Sequence, residues 1–275
     1  MHQRAFEAAP AIQGAGSLVF QGNLLVLPEG QPIQLSINVA DLENSGTLGA
    51  TGDEGGGYGP YPSFEALGYL GINGSSFTND ASGSVLANDG SIDITSDTVV
   101  NNGTIAAAAG AFPGVTSGAF AFISITGPLS GSGELTLQGQ NAQVSLASSV
   151  GSSQTIDFLT GTSELSIALP QFFGGTIDGF AQNDTIELGL GATGISYGNN
   201  ELVLMTDDGQ TIDLAITGPY SFGNFSIVDR SSSTAITVSF YPTISGTVAG
   251  QPVSDRKTIA PFAKVTIADA NVDQT

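Results

Sequence analysis

The chain has 275 residues and a formal net charge of −20, from 25 acidic and 5 basic side chains, with no Cys, no Trp and one His. That removes a disulfide framework, a thiolate metal centre, a Cys nucleophile and a Ser-His-Asp triad, and it leaves no basic footprint for nucleic acid or for an anionic membrane surface. Hydrophobic residues make up 40%, enough for a sizeable core, and no run approaches the ~20 consecutive apolar residues of a membrane helix.

Residues 1–13 read as an N-terminal extension. Met1-His2-Gln3-Arg4-Ala5-Phe6-Glu7 lacks the basic stretch and apolar run of a secretory signal, so the expectation is export by another signal or excision from a longer protein. From residue 14 onward helical periodicity is nearly absent. Short alternating runs bounded by Gly, Asn, Asp and Ser take its place, which is the signature of strands with one dry and one wet face. They include Ser17-Leu18-Val19-Phe20, Asn23-Leu24-Leu25-Val26-Leu27, Gln34 to Val39, Glu134-Leu135-Thr136-Leu137, Gln143-Val144-Ser145-Leu146, Thr155-Ile156-Asp157-Phe158 and Glu164-Leu165-Ser166-Ile167. Thr185-Ile186-Glu187-Leu188, Glu201-Leu202-Val203-Leu204, Thr211-Ile212-Asp213-Leu214 and Ala235-Ile236-Thr237-Val238 continue the pattern.

A pattern N-x-G-[ST]-[LI] recurs at Asn44-Ser45-Gly46-Thr47-Leu48, Asn88-Asp89-Gly90-Ser91-Ile92 and Asn101-Asn102-Gly103-Thr104-Ile105. Asn and Gly supply left-handed turn angles, and the next residues start a strand whose aliphatic side chain points inward. Stacked units of this kind bury a continuous core that none could build alone. The expected fold is therefore all-β, a β-solenoid over residues 14–240. The alternative is a short solenoid followed by an antiparallel β-sandwich from about 131 to 240.

One stretch departs from strand periodicity, the Gly- and Pro-rich loop near 53–70, which contains Gly55-Gly56-Gly57-Tyr58-Gly59-Pro60-Tyr61-Pro62. Loops thrown out from a regular scaffold commonly carry binding function. Tyr58, Tyr61, Phe64 and Tyr69 are the candidate ligand-binding residues, as a stacking surface for sugar rings; packing against the solenoid is the competing role. Near Tyr241-Pro242 the composition changes, with Arg256, Lys257 and Lys264 crowded into the last segment, so residues 241–275 read as a separate unit or linker.

The N-x-G-[ST]-[LI] units resemble passenger segments of bacterial autotransporters and filamentous-haemagglutinin-like adhesins, and this resemblance implies that the solenoid is a right-handed parallel β-helix. The stretch from Gly131-Ser132-Gly133-Glu134-Leu135-Thr136-Leu137 to Gly175-Thr176-Ile177-Asp178-Gly179-Phe180 and Asn183-Asp184-Thr185-Ile186-Glu187-Leu188 is similar to a module of very large secreted, type I-exported repeat proteins of α-proteobacteria. Ile244-Ser245-Gly246-Thr247-Val248 and its continuation resemble the opening of an Ig- or cadherin-like repeat, which the chain would hold only in truncated form. These resemblances imply a secreted or cell-surface, adhesin-like module without catalysis, part of a larger multi-repeat chain, and they specify no ligand; a glycan or host-surface component is the partner that the aromatic loop suggests, with self-association open to it.

Asp178, Asn183, Asp184 and Glu187 cluster around a Gly-containing turn. Hard oxygen ligands of that kind suit Ca²⁺, the cofactor this pattern would take, although the RTX nonapeptide and the EF-hand loop are both absent. Solvated turn residues are the plainer reading. A glycan-active, glycosidase-like β-helix enzyme and a calcium-stiffened stalk with no ligand of its own are the competing functions. For the enzyme, Asp207-Asp208-Gly209 superficially offers paired carboxylates, but it also suits a hairpin turn between Leu204 and Ile212, and the His and Arg-x-Lys companions of such sites are missing.

Overall fold

The computed structural model describes residues 10–27, 32–52, 67–110, 120–230, 232–240, 243–245 and 265–268. Among them there is no α-helix, and strands dominate. The alternation seen in the sequence becomes a coil that turns through three strand-bearing faces, here called A, B and C. Face A begins with β1 (Ala11–Gln13), face B with β2 (Ser17–Phe20) and face C with β3 (Asn23–Val26). The next turn stacks β4 (Ile33–Asn38), β5 (Asp41–Asn44) and β6 (Thr47–Thr51) on these in parallel.

Further turns repeat the circuit with longer strands that bend across a corner. β7 (Gly68–Asn79) covers faces A and B before β8 (Ser84–Asn88) takes face C; β9 (Ser91–Asn101) and β10 (Thr104–Ala109) do the same one turn on. β11 (Ala121–Ile125) and β12 (Leu129–Ser130) follow on A and B. β13 (Glu134–Leu146) and β14 (Thr155–Ile167) then bend from C to A, and β15 (Thr176–Asp178) and β16 (Thr185–Leu188) end the stack on C and A. The fold is a parallel β-solenoid.

Because the register is kept from turn to turn, like side chains stack on like. On face A, Ile37, Ile72, Ile94, Ile125, Leu146, Ile167 and Leu188 occupy successive register positions, all buried. Face C supplies Leu48, Val85, Ile105, Leu135, Ile156 and Ile177, and face B supplies Leu42, Phe77, Val99, Leu129, Val150 and Phe173. Each fully buried aliphatic side chain contributes about 1.5–3 kcal/mol, and no single turn could exclude water from its own set.

The regular coil ends at Leu188, short of the expected residue 240. β17 (Ala192–Gly198), β18 (Glu201–Thr206) and β19 (Thr211–Ile216) form an antiparallel meander, and β20 (Phe225–Asp229) with β21 (Thr234–Val238) form a hairpin. The reason is local: Asn199 and Asn200 both sit at positive φ and Gly209 follows Asp207-Asp208 at φ 81°, which are tight reversing turns. Asp207-Asp208-Gly209 is thus a hairpin turn. β21 runs antiparallel beside β16, and β19 parallel beside β15, so the hairpins cover the C-terminal end of the core. A separate antiparallel pair joins β22 (Thr243–Ser245) and β23 (Thr266–Ala268).

The repeat also needs a correction. Asn44 and Asn101 occupy the corner between faces B and C, but Asn88-Asp89-Gly90 lies between β8 and β9, at the corner between C and A. The copy in phase is Asn79, which pairs in register with both Asn44 and Asn101. Asn44 Nδ2 donates to Asn79 Oδ1 at 2.9 Å, and Asn79 Nδ2 to Asn101 Oδ1 at 2.8 Å. Asn101 Nδ2 then donates to Gln154 Oε1 at 3.2 Å. Gly131, at φ 98°, takes the corner of the turn between, where a Cβ would meet Asn101 O at 2.3 Å. The longer glutamine side chain spans that turn.

Candidate functional site

The corner between faces C and A is where the solenoid departs from a plain coil. Segments 53–66 and 111–119 both leave from it, and a third turn of the chain passes between their roots. Asp89 holds that middle turn. It adopts φ 55°, its backbone N–H donates to Ala108 O at 3.0 Å, and its carboxylate accepts from Gly110 N at 2.7 Å. Gly52 N donates to the neighbouring Asn88 O at 2.9 Å, and a Cβ on Gly52 would meet Asp89 O at 2.4 Å. Burial raises the Asp89 carboxyl above its ordinary range, with the Gly110 amide pulling the other way.

Face A begins at this corner, and its outward residues are fixed by the same register that stacks the core. Tyr69, Ser91 and Phe122 are successive outward neighbours, followed by Gln143. The row beside them holds Gly71, Asp93, Ser124 and Ser145. Tyr69 Oη donates to Asp93 Oδ2 at 2.7 Å. Partial burial, then the Asp93 hydrogen bond and charge, push the Tyr69 phenol up to about 12, so it stays a proton donor to the carboxylate. The rings of Phe120 and Phe122 stack with centroids 6.0 Å apart at 14°. The patch therefore presents aromatic rings, a carboxylate and serine hydroxyls on one sheet face, at the corner from which both segments leave.

Of the four aromatic residues expected to bind ligand, Tyr69 is in this patch, while Tyr58, Tyr61 and Phe64 lie outside the described residues. Phe120, Phe122 and Ser124 were not singled out from the sequence, and Asp93 was not linked to the aromatic residues. Phe120-Ala121-Phe122-Ile123 alternates visibly, but its alignment with Tyr69 depends on the register of a coil whose length changes at each inserted segment.

The four candidate calcium ligands do not converge on one point. Asp178 Oδ1 accepts from Gly179 N and from Thr217 Oγ1, both at 2.9 Å. Asn183 is a turn residue at φ 79°. Asp184 points inward, 3% exposed, and accepts from Ser163 N and Ala181 N, both at 2.9 Å. Burial outweighs these two amides and pushes its carboxyl up to about 6. Glu187 Oε2 receives Arg230 Nη1 at 3.0 Å. Among the described residues no group of three or more His, Cys, Asp or Glu is placed to hold a metal ion. Asp178 instead faces Asp157 in register on the adjacent turn. Burial and then the Asp178 charge raise the Asp157 carboxyl.

A groove of about 400 Å³ runs between Leu169, Gln171, Leu190 and the turn at Asp207 and Asp208. The two aspartates are sequence neighbours on one wall of it. Asp208 accepts from Thr206 Oγ1 and Gln210 N, which hold its carboxyl below the ordinary range. Carboxylates facing each other across a cleft, as glycoside hydrolysis requires, are not what this groove offers.

Among the described residues no helix is long and apolar enough to cross a membrane. No known protein family matches the chain, and no curated protein does.

Proposed function

We propose that the chain is a non-catalytic binding module of a secreted or cell-surface protein, adhesin-like in role, whose ligand is a glycan docked on the outward face of β7, β9 and β11. The observation that carries this is the placement of the Tyr69–Asp93 pair and the Phe120–Phe122 stack on one sheet face, at the corner from which 53–66 and 111–119 leave. Aromatic faces take the apolar side of a sugar ring while a carboxylate and hydroxyls take its O–H groups. A surface of net charge −20 favours neutral or amino sugars over uronates. The acidic excess also keeps a long β structure soluble outside the cell.

The test is a glycan array of neutral, amino and acidic oligosaccharides probed with the full chain, followed by titration of the best binder against Asp93→Asn and Phe122→Ala. Each variant should weaken binding at least tenfold, and Asp208→Asn should leave it unchanged. An array without binders, or a binder indifferent to both face A variants, overturns the reading.

A calcium-stiffened stalk is the second reading, and the Asp157–Asp178 register favours it. Two carboxylates on adjacent strands repel each other, and a divalent cation held by their oxygens would relieve that repulsion.

A further inference from the structure

Where the antiparallel hairpins meet the last turn of the solenoid they leave a second pocket, of about 220 Å³, with Asp178, Ala181, Gln182, Thr217, Tyr220 and Phe240 among its walls. Its construction is specific. Tyr220 folds back over Gly218, which adopts φ 155° and has no room for a Cβ, since one would meet the ring at 2.3 Å. The Tyr220 hydroxyl donates to Phe180 O across the junction. Phe240 stacks on the Tyr220 ring, centroids 5.9 Å apart at 25°, so one wall is a rigid pair of aromatic rings.

The polar side is electronegative. Among the described residues no Lys, Arg or His lines the pocket. Asp178 carries the nearest negative charge, fixed by Gly179 N and the Thr217 hydroxyl. Gln182 also lines the pocket, and its Oε1 is buried with no hydrogen-bond partner. A buried acceptor left unpaired is destabilising, so such an atom in a pocket points to a ligand that donates. Burial, then the charges of ionised Tyr197, Asp178 and Asp184, push the Tyr220 phenol up to about 12, so it stays a neutral ring and a proton donor.

We infer that this pocket binds a primary alkylammonium group, with the cation between the Asp178 carboxylate and the Tyr220 ring, an N–H donated to Gln182 Oε1, and the alkyl stem along Ala181 and Phe240. Aromatic faces attract cations, more strongly when water is excluded. A quaternary ammonium has no N–H for Gln182, and a neutral alcohol forgoes the charge. Such a group comes either from a lysine side chain of a partner protein or from an ethanolamine head group. This site is separate from the face A patch, and neither reading depends on the other.

The experiment is an amide NMR titration of the full chain at low salt with n-butylammonium, n-butanol and tetramethylammonium as probes. Butylammonium should give saturable shifts confined to the amides of Gly179, Ala181, Gln182 and Gly218, at least tenfold tighter than the other two. Asp178→Asn keeps an acceptor for Gly179 and Thr217 and should weaken butylammonium at least tenfold without lowering the melting temperature. Should that variant unfold, Gln182→Leu serves in its place with the same expected loss. N-acetyl-lysinamide and ethanolamine then separate the two sources. Equal response to butanol, shifts scattered over the acidic surface, or unaltered binding by the variant overturns the inference.

Discussion

Asn79 donates its side-chain amide to Asn101 at 2.8 Å while accepting that of Asn44 at 2.9 Å, and all three are fully buried. The amides form a polar ladder along a core otherwise built from aliphatic rows. Asn79 Nδ2 also lies 3.3 Å from Gly83 O and 3.2 Å from Thr104 O, so it ties backbone carbonyls at the corner as well as its two neighbours.

Asn79→Ala is accordingly expected to be among the most costly single substitutions in the solenoid. It strands one Asn44 amide hydrogen, the other still reaching Ser84 O at 3.1 Å, and the Asn101 side-chain oxygen, at about 1–3 kcal/mol for each buried group left unpaired. Urea denaturation should show a loss of about 2–5 kcal/mol. Asn73→Ala, which breaks a similar 2.8 Å bond to Asn38 at a half-buried position, should cost about 1 kcal/mol. Equal losses would mean that the ladder adds nothing beyond an ordinary hydrogen bond.

The ladder marks what was legible in the sequence. Asn44 and Asn101 could be recognised because each is followed by Gly and a strand-starting Thr. Asn79 was hidden because its turn, Asp80-Ala81-Ser82-Gly83, is two residues longer. Asn88 was wrongly grouped with them because the same turn chemistry serves a different corner. Strands such as Thr155–Phe158 were legible from alternation alone, since one face is always dry. The Tyr69–Asp93–Phe122 patch was not: its residues are neighbours only through register, and the spacing of register partners varies along the solenoid from 20 residues, Ser84 to Thr104, to 37, Thr47 to Ser84.

Gly139 and Gly209 separate backbone strain from stacking. Both have positive φ, 91° and 81°, but a Cβ at 139 would lie 1.6 Å from Ala109 O on the adjacent turn, whereas at 209 nothing is within 4 Å. Gly209→Ala should therefore cost about 1–2 kcal/mol, the strain of a left-handed residue. Gly139→Ala must also push two hydrogen-bonded turns apart and should cost about 3 kcal/mol or more. Paired urea melts check the difference, and equal costs would show that the turns slide freely.

Calcium makes a distinct prediction at the Asp157–Asp178 pair. The melting temperature should rise from EDTA to millimolar Ca²⁺; saturation at about 100-fold over the dissociation constant adds about 2.7 kcal/mol. Asp157→Asn removes half the binding charge and also the repulsion. It should raise the melting temperature in EDTA and abolish the response to Ca²⁺. A wild-type melt indifferent to Ca²⁺ would leave these acids as solubilising surface and remove the stalk reading.

Asp184 makes the stability depend on pH in a direction opposite to that of a paired surface carboxylate. Its folded value of about 6 stands above the ordinary 3.8, so the folded state holds this proton more tightly than the unfolded chain. The contribution is fully present below about pH 4 and is lost as pH rises through 6, a change of about 3 kcal/mol for that difference. Asp184→Asn keeps the shape, removes the buried charge and should flatten the stability profile between pH 4 and 7 relative to wild type. Because the remaining acids of this highly charged chain repel one another in both proteins, only the difference between the two profiles reports on Asp184. If the profiles run parallel, the Ser163 and Ala181 amides stabilise the carboxylate well enough to cancel its burial.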